Sequence, residues 1–478
     1  MTARAKTGRT TTKPPPRRGV EPGAELSVTI DDLDDEGAGM AAAAFPGPDG
    51  GAQPGTWSLH VRGALPGEYA TVRVDHVSHH RPAAWASLVA LERSSPERVE
   101  PACAGWGPCG GCVLQHLAYD AQVAWKERAF RALLASQPAL ASAAVHRAVG
   151  SPRPLGYRNK SKLVAGRNAV GRLILGAFAP RSHDVVDLGG CAVVEPPLDE
   201  VASTLRDLLD ERQIEPYDEA RLAGQLRYAI LRATADGAVL VTLVTAREAF
   251  PEGAALAGAL RAARPEVAGV VQNVNPTRGN ALYGLRDVLL AGAATIDDRI
   301  GNVRLRVSPQ AFLQANRYVA ASAYDAILRA VAPQGGERVV DAYAGVGGIA
   351  LTLAPHAGDV IGIEEHPGAV EDATASARLN GVTNARFVAG DAATHLSECG
   401  HAAIVVLNPP RKGCAPAVLA ATAALRPRAI AYLSCAPDTL VRDLASLAQL
   451  GFATRSLTPF DMLPHTPHLE ALAILTPV

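Results

Sequence analysis

The sequence predicts an α/β protein whose C-terminal part is a doubly wound parallel sheet, preceded by a mixed α+β segment and a small N-terminal β-barrel. Three observations predict it. From about residue 296, β-rich runs alternate with helical stretches, the pattern of a parallel sheet with helices on both faces. Residues 24–93 carry short β-rich runs separated by turn-rich segments. Between them, helix and strand mix around a hairpin signal at Asp236-Gly237. A chain of 478 residues has room for about three such domains at roughly 150 residues each.

The composition is globular, with 48% hydrophobic and 19% charged residues. Lys+Arg (46) and Asp+Glu (47) balance, so any nucleic-acid binding must come from a local patch. Arginine is abundant and carries little information by itself. No run of about 18 apolar residues exists to span a membrane, and no apolar stretch follows the basic N-terminus as a secretory signal would require. Seven cysteines, odd in number and clustered, point to thiol or metal chemistry in a reducing compartment. A cytoplasmic location is expected.

In chain order, residues 1–23 read as a disordered basic tail. Residues 24–93 give Leu26–Ile30, Trp57–Val61, Ala70–Val77 and Trp85–Leu91 as strands, with Phe45–Gly55 as a turn-rich separator, and suit a five-stranded barrel of the OB type. Residues 94–295 form the central domain. Residues 296–478 form the doubly wound domain, with strands at Arg338–Ala342, Val360–Glu364, Ala385–Val388, Ile404–Asn408, Ala429–Ser434, Ala453–Leu457 and Glu470–Leu475. Helices connect the first five except across the short link between third and fourth. The last two are joined without a helix and read as an antiparallel edge pair.

The first of these strands runs into Asp341-Ala342-Tyr343-Ala344-Gly345-Val346-Gly347-Gly348. Its glycines let the backbone turn and approach a ligand closely. Glu364 ends the second strand, where a carboxylate accepts from ribose hydroxyls. Asp391 closes the third, where it can meet an adenine amino group. A dinucleotide site would show Gly-x-Gly-x-x-Gly around a pyrophosphate. Here an acid opens the loop, which suits a cationic, amino-acid-like ligand and repels phosphate. S-adenosylmethionine has that chemistry.

Three segments follow at later strand ends: Asn408-Pro409-Pro410-Arg411, Ser434-Cys435-Ala436-Pro437 and Pro464-His465-Thr466-Pro467-His468-Leu469-Glu470. A thiolate adds well to conjugated double bonds, and Cys435 precedes a helix N-terminus that favours the thiolate. Carbon 5 of a pyrimidine is a poor nucleophile until a thiolate adds at carbon 6. A base must then remove the carbon 5 proton, and Glu470 is the candidate. Asn408 offers one donor and one acceptor, matching uracil O4 and N3–H together.

On these motifs the chain resembles the RNA uridine-5-methyltransferase family, over about residues 25–478. The resemblance implies a class I methyltransferase sheet with Cys435 as nucleophile and Glu470 as proton-abstracting base. It implies that Gln314, Tyr343 and Glu364 contact the methyl donor. Asp341, Gly345, Asp391 and Asn408 complete the expected donor-binding set. The barrel is similar to the family's TRAM module, an RNA-binding type, most tellingly at Gly63-Ala64-Leu65-Pro66-Gly67-Glu68. Cys399 and Cys414 match no family motif and read as structural.

Cys103, Cys109 and Cys112 lie close in sequence, with Cys191 further on. Four thiolates can hold either Zn²⁺ or an iron–sulfur cluster, and the resemblance implies a 4Fe–4S cluster on these four. Arg158 and Lys160, beside Tyr157 in Tyr157-Arg158-Asn159-Lys160-Ser161-Lys162, read as an RNA backbone and stacking site. The expected partner is RNA, with no membrane and a monomeric chain. The cysteines, Asn408 and the glycine loop resemble the branch acting on large-subunit ribosomal RNA, ahead of transfer RNA. DNA cytosine-5 methylation is disfavoured because there a Glu that protonates N3 should lie beyond a Pro-Cys motif, and here the nucleophile motif is Ser434-Cys435-Ala436-Pro437. A non-catalytic RNA assembly factor is disfavoured by the intact Cys435 and Glu470.

Overall fold

The computed structural model describes residues 21–46, 52–279 and 281–478. The expected basic tail, 1–23, lies outside these residues except for its last three. The chain divides into two compact units, Met1–Arg98 and Val99–Val478.

The first unit is one curled sheet of β1 (Glu25–Thr29), β2 (Asp32–Leu33), β3 (Gly39–Pro46), β4 (Ala52–Arg62), β5 (Tyr69–Val77) and β6 (Ala83–Arg93). The strand order is β1-β5-β6-β4-β3-β2. Three register shifts between β5 and β6 supply the bulges that bend a short sheet. Six strands replace the expected five. The sequence reading missed β3 because its run of alanines has poor β propensity, and β3 and β4 both extend into the supposed turn-rich Phe45–Gly55. The Gly63–Glu68 stretch is a turn closed by buried Glu68. This carboxylate accepts Leu65 N–H at 2.8 Å and is clamped by Arg98 at 2.6 Å.

The second unit opens with the cysteine segment and α1 (Tyr119–Ala135), then β7 (Ala144–Val145). A seven-stranded sheet follows, built from β8 (Lys160–Arg167), β9 (Leu173–Phe178), β10 (Val185–Asp187), β11 (Leu226–Ala233), β12 (Val239–Thr245), β13 (Val267–Val274) and β14 (Arg286–Gly292). Helices α2 (Pro196–Glu211) and α3 (Gly253–Ala263) cover one face through Leu198, Leu205, Leu256 and Leu260, which pack on Leu163, Leu231 and Val241. The Asp236-Gly237 hairpin forms with a different turn. Gly237 N–H bonds Thr234 O at 3.0 Å and Thr234 N–H bonds Ala238 O at 2.8 Å. Gly237 has φ +87°, while Asp236 is not among the positive-φ residues. A two-residue type I′ turn needs positive φ at both positions, so this is a three-residue loop with a glycine bulge.

After the hairpin β15 (Ile296–Ile300) and β16 (Val303–Val307) comes α4 (Arg317–Val331), whose cap Asn316 accepts from the N–H groups of Tyr318 and Val319. The doubly wound sheet then alternates β17 (Arg338–Asp341), α5 (Gly348–Leu353), β18 (Asp359–Glu364), α6 (Pro367–Leu379), β19 (Ala385–Ala389), α7 (Ala392–Glu398), β20 (Ile404–Leu407), α8 (Pro416–Ala424), β21 (Ala429–Ser434) and α9 (Pro437–Gln449), ending in β22 (Phe452–Phe460) and β23 (Glu470–Pro477). Alternate residues enter opposite cores. Val339, Ile404, Val406 and Leu433 face the α4–α5 side, and Val340, Val405, Leu407 and Tyr432 face the α8–α9 side. Burial on both faces explains the near-continuous apolar strands.

The strand order is β19-β18-β17-β20-β21-β23-β22-β7. Two expectations need correction. The link between β19 and β20 contains α7, capped by Asp391 accepting from Thr394 N–H; at seven residues it is too short to announce itself by periodicity. The last two strands pair antiparallel but are not an edge pair. β23 inserts between β21 and β22, and β7 adds parallel outside β22.

Candidate active site

The loop after β17 begins at Asp341. Its side chain is buried, and neither oxygen has a hydrogen-bond partner. Desolvation pushes its pKa up to about 7, the nearby backbone N–H groups of Tyr343 and Ala350 oppose the rise, and the Glu364 carboxylate adds a little to it. A buried carboxylate that no cationic side chain pairs fits a cationic ligand, because a cation would supply the charge that the fold withholds. Gly345 sits at φ +53° and donates its N–H to Glu364 at 2.9 Å. Glu364 also accepts His366 N–H at 2.9 Å, so it is held in place with acceptor capacity to spare. The floor requires glycine: a Cβ on Gly362 would stand 2.3 Å from Phe387. Asp391 is exposed, and one of its oxygens is used in capping α7. Half-buried Tyr343 faces Cys414, and burial raises its pKa first of all.

Three strand ends converge beside this loop. Asn408 follows β20 and is half-buried. Cys435 follows β21, and Glu470 begins β23, only 3% exposed. Burial holds the Cys435 thiol above its usual range and the Glu470 carboxylate reinforces this, while Arg411 opposes both by charge and by a side-chain hydrogen bond. The expected lowering by the α9 N-terminus is therefore outweighed. Desolvation lifts Glu470 to about 7, and Gln314 Nε2 at 3.4 Å opposes the rise. A carboxylate titrating near neutrality suits general-base work.

The segment between β22 and Glu470 is anchored on α1. Lys126 Nζ donates to Asp461 at 2.5 Å and to Leu463 O at 3.2 Å, both side chains being buried. His465 donates its N–H to Gln122 Oε1 at 2.9 Å, and its carbonyl accepts from Leu114 N–H at 3.0 Å.

The four expected metal-site cysteines share a neighbourhood. Burial and the Cys191 thiol, with Cys109 adding, push Cys112 up to about 12. Burial raises Cys191 as well, with contributions from Cys103 and Cys109. Backbone packs close around them: a Cβ at Gly111 would lie 3.3 Å from Cys109 Sγ, and one at Gly105 would lie 3.7 Å from Cys103 Sγ. Gly110 has φ +67°, and a Cβ there would meet Pro180 at 2.3 Å. Among the described residues no group of three or more such side chains stands in metal-holding geometry. The thiols are neighbours rather than a closed ligand set.

Comparison with known proteins decides the family. The model of the tRNA (uracil-5-)-methyltransferase family matches residues 201–477. The chain is 35% identical over 455 residues to an "uncharacterized RNA methyltransferase" of Halalkalibacterium halodurans, covering 94% of this chain and 96% of that one. It is 38% identical over 456 residues to one of Geobacter sulfurreducens, covering 94% and 89%.

The chain belongs to the RNA uracil-5-methyltransferase family.

It is an enzyme of the methyltransferase class, and S-adenosylmethionine is its methyl donor. A solved structure agrees in fold. Pyrococcus abyssi tRNA (uracil-54, C5)-methyltransferase, in complex with S-adenosyl-L-homocysteine, superposes with a TM-score of 0.74 at 25% identity, covering 94% of this chain and all of that one. Among the described residues of this methyltransferase, no helix is long and apolar enough to cross a membrane.

The basic run differs from expectation. Tyr157 is fully buried with its hydroxyl donated to Pro464 O at 3.3 Å, so it offers no face to a base. Arg158 and Lys162 are exposed. Half-buried Lys160 lies 5.7 Å from the Tyr283 ring centre, and desolvation plus Arg232, Arg158 and Lys162 bring it down to about 7.

The sequence places Arg411 in the Asn408-Pro409-Pro410-Arg411 motif without a role, and gives Phe312 none. Arg411 meets Cys435 and stands 3.4 Å from His468 Nε2. Phe312, two residues before Gln314, is 68% exposed. An aromatic this exposed beside a site signals a contact surface, but only the fold reveals its exposure. Lys126, Gln122 and Asp461 were missed outright, since nothing local pairs residues so far apart.

Proposed function

We propose that this methyltransferase acts on carbon 5 of one uridine in RNA through covalent addition of Cys435 to carbon 6. The observation that carries this reading is the convergence of Cys435, Arg411 and Glu470 at neighbouring strand ends of the sheet that also presents the buried Asp341 carboxylate. Arg411 stabilises the thiolate against burial. The thiolate lone pair forms the S–C6 bond, and the C5=C6 electrons move toward O4, where Asn408 donates while accepting from N3–H. Carbon 5 then takes the methyl group, and the donor's sulfur keeps the electron pair of the broken S–CH₃ bond. Glu470 removes the carbon 5 proton, the freed pair restores C5=C6, and Cys435 leaves as thiolate. Asp341 holds the donor's cationic end, Glu364 its ribose and Asp391 its adenine. Gln314 bridges donor and base, with Tyr343 and Gly345 completing the pocket.

Arg158 and Lys162, with Lys160 behind them, support contact with RNA phosphates. Exposed Phe312 supports stacking on a base beside a target that must leave its own stack. The barrel, 24–93, is proposed as a further RNA-binding module. Cys103, Cys109, Cys112 and Cys191 would hold a 4Fe–4S cluster, which their mutual proximity and glycine surroundings support. When bound, it cross-links the segment before α1 to the central sheet and takes no part in methyl transfer.

Large-subunit ribosomal RNA is the proposed substrate, on the strength of the cysteine set and Asn408. The likeness to a transfer RNA uracil-54 enzyme favours tRNA as a second reading. Release of tritium from carbon 5 of labelled uridine tests both. Native enzyme is expected to release it from ribosomal transcripts, and Cys435→Ala is not. Release from tRNA alone would move the substrate, and release by Cys435→Ala would overturn the covalent step.

A further inference from the structure

We propose that Gln122 and Lys126 of α1 are positioning residues for the catalytic base, fixing the segment 461–469 that delivers Glu470. The proposal rests on Glu470 being the base that ends the reaction.

The segment is held in a conformation it would not adopt alone. His465 has φ +66°, a left-handed backbone that costs a non-glycine residue of order 1–2 kcal/mol and persists only where surroundings over-determine it. Here they do. Its N–H is held by Gln122 Oε1 at 2.9 Å and its carbonyl by Leu114 N–H at 3.0 Å, and one ring nitrogen, Nδ1, lies 3.1 Å from Gln122 Nε2. The two hydrogens of that amide nitrogen are shared among three acceptors, since it also reaches Leu117 O at 2.7 Å and Leu114 O at 3.0 Å. One side chain thus fastens the strained residue to the turn that precedes α1.

One helical turn on, Lys126 fixes the other end of the segment. It is 1% exposed, and its partner Asp461 is fully buried. A buried pair of this kind confers position more than stability, because desolvation of both ions offsets their attraction. Its second bond, to Leu463 O, reaches the segment's backbone directly. Glu470 lies five residues beyond His465, and among the described residues the hydrogen bond to Gln314 at 3.4 Å is the one its side chain makes. Its backbone is held by pairing with Phe460 of β22, and the rest of its placement comes from the segment leading into it.

The chemistry gives a specific readout. A misplaced base leaves addition and methylation intact but blocks elimination, so the methylated RNA–Cys435 adduct accumulates. A general folding defect would instead lower adduct formation and turnover together. The full chain would be incubated with RNA transcripts and methyl-tritiated S-adenosylmethionine, then denatured and resolved on gels. The variants are Gln122→Met, which keeps the volume without the bonds, and Lys126→Met with Asp461→Asn, which removes both buried charges together. Glu470→Gln and Cys435→Ala are the controls. Turnover is expected to fall at least about tenfold in both positioning variants, with adduct rising toward the Glu470→Gln level and donor affinity unchanged. Unchanged turnover, or adduct falling with turnover, would overturn the proposal. Adduct in Cys435→Ala would overturn the covalent reading beneath it.

Discussion

Gln314 Nε2 stands 3.4 Å from Glu470 Oε1, joining the segment before α4 to the first residue of β23 across 156 positions of sequence. Asn159 Nδ2 in turn holds Gln314 O at 3.0 Å. The proposed base is therefore in contact with a residue of the proposed donor site, and both side chains are buried. Burial leaves Glu470 a carboxylate that changes charge near neutrality, and that sets its pH behaviour.

Turnover is expected to rise with pH through about 7 as Glu470 loses its proton. The deprotonated form is the base, so activity falls on the acid side. A profile of kcat between pH 5.5 and 8.5 checks this, and a midpoint in the ordinary carboxylate range, near 4, would contradict the assignment.

Glu470 and Asp341 are both raised to about 7 by burial. A group raised on folding contributes stability that is present below its unfolded pKa and lost as pH rises through its folded pKa. Glu470→Gln and Asp341→Asn are each expected to stabilise the protein at pH 8, by up to about 3 kcal/mol, and to change it little at pH 4.5. Thermal unfolding at the two pH values tests this. Asp341→Asn should also weaken donor binding roughly tenfold or more by calorimetry, since a charge-assisted hydrogen bond is lost.

Cys191→Ser is expected to remove iron and acid-labile sulfide from the purified protein. It is also expected to speed amide exchange over 461–469, because Leu114, two residues after Cys112, holds the His465 carbonyl. Elemental analysis with hydrogen exchange checks both. Zinc without sulfide in the native protein would replace the cluster.

Arg158→Glu and Lys162→Glu are each expected to weaken RNA binding and reduce its salt slope by about one. Lys160→Met should change the slope by less than half as much, since desolvation leaves that ammonium only partly charged near neutrality. Binding isotherms at several salt concentrations decide the matter, and equal effects at all three positions would refute the distinction.

The positions of the proposed donor-site residues were legible in the chain because they sit at fixed points of a repeating β–α unit. Asp341 and Glu364 end β17 and β18, and Gly345 and Asp391 lie in the loops just after β17 and β19. The barrel was less legible. Alanines conceal β3, and the partners of β4 lie on either side of it in sequence. The hairpin at Gly237 was found by its dipeptide, but its turn type depends on backbone angles that the dipeptide leaves open.

The sequence by itself determined the doubly wound sheet, the residue types at its strand ends and the family to which they belong. These depend on local periodicity and on side-chain chemistry at known spacings. Only the tertiary structure decided how charged those residues are and what holds them. Tyr157 reads as a stacking aromatic until it is seen buried against Pro464. Cys435 reads as activated by a helix end until burial and Glu470 outweigh it. Lys126 and Asp461 carry no mutual signal across the chain. Desolvation and long-range hydrogen bonds arise from packing, and packing is a property of the folded whole.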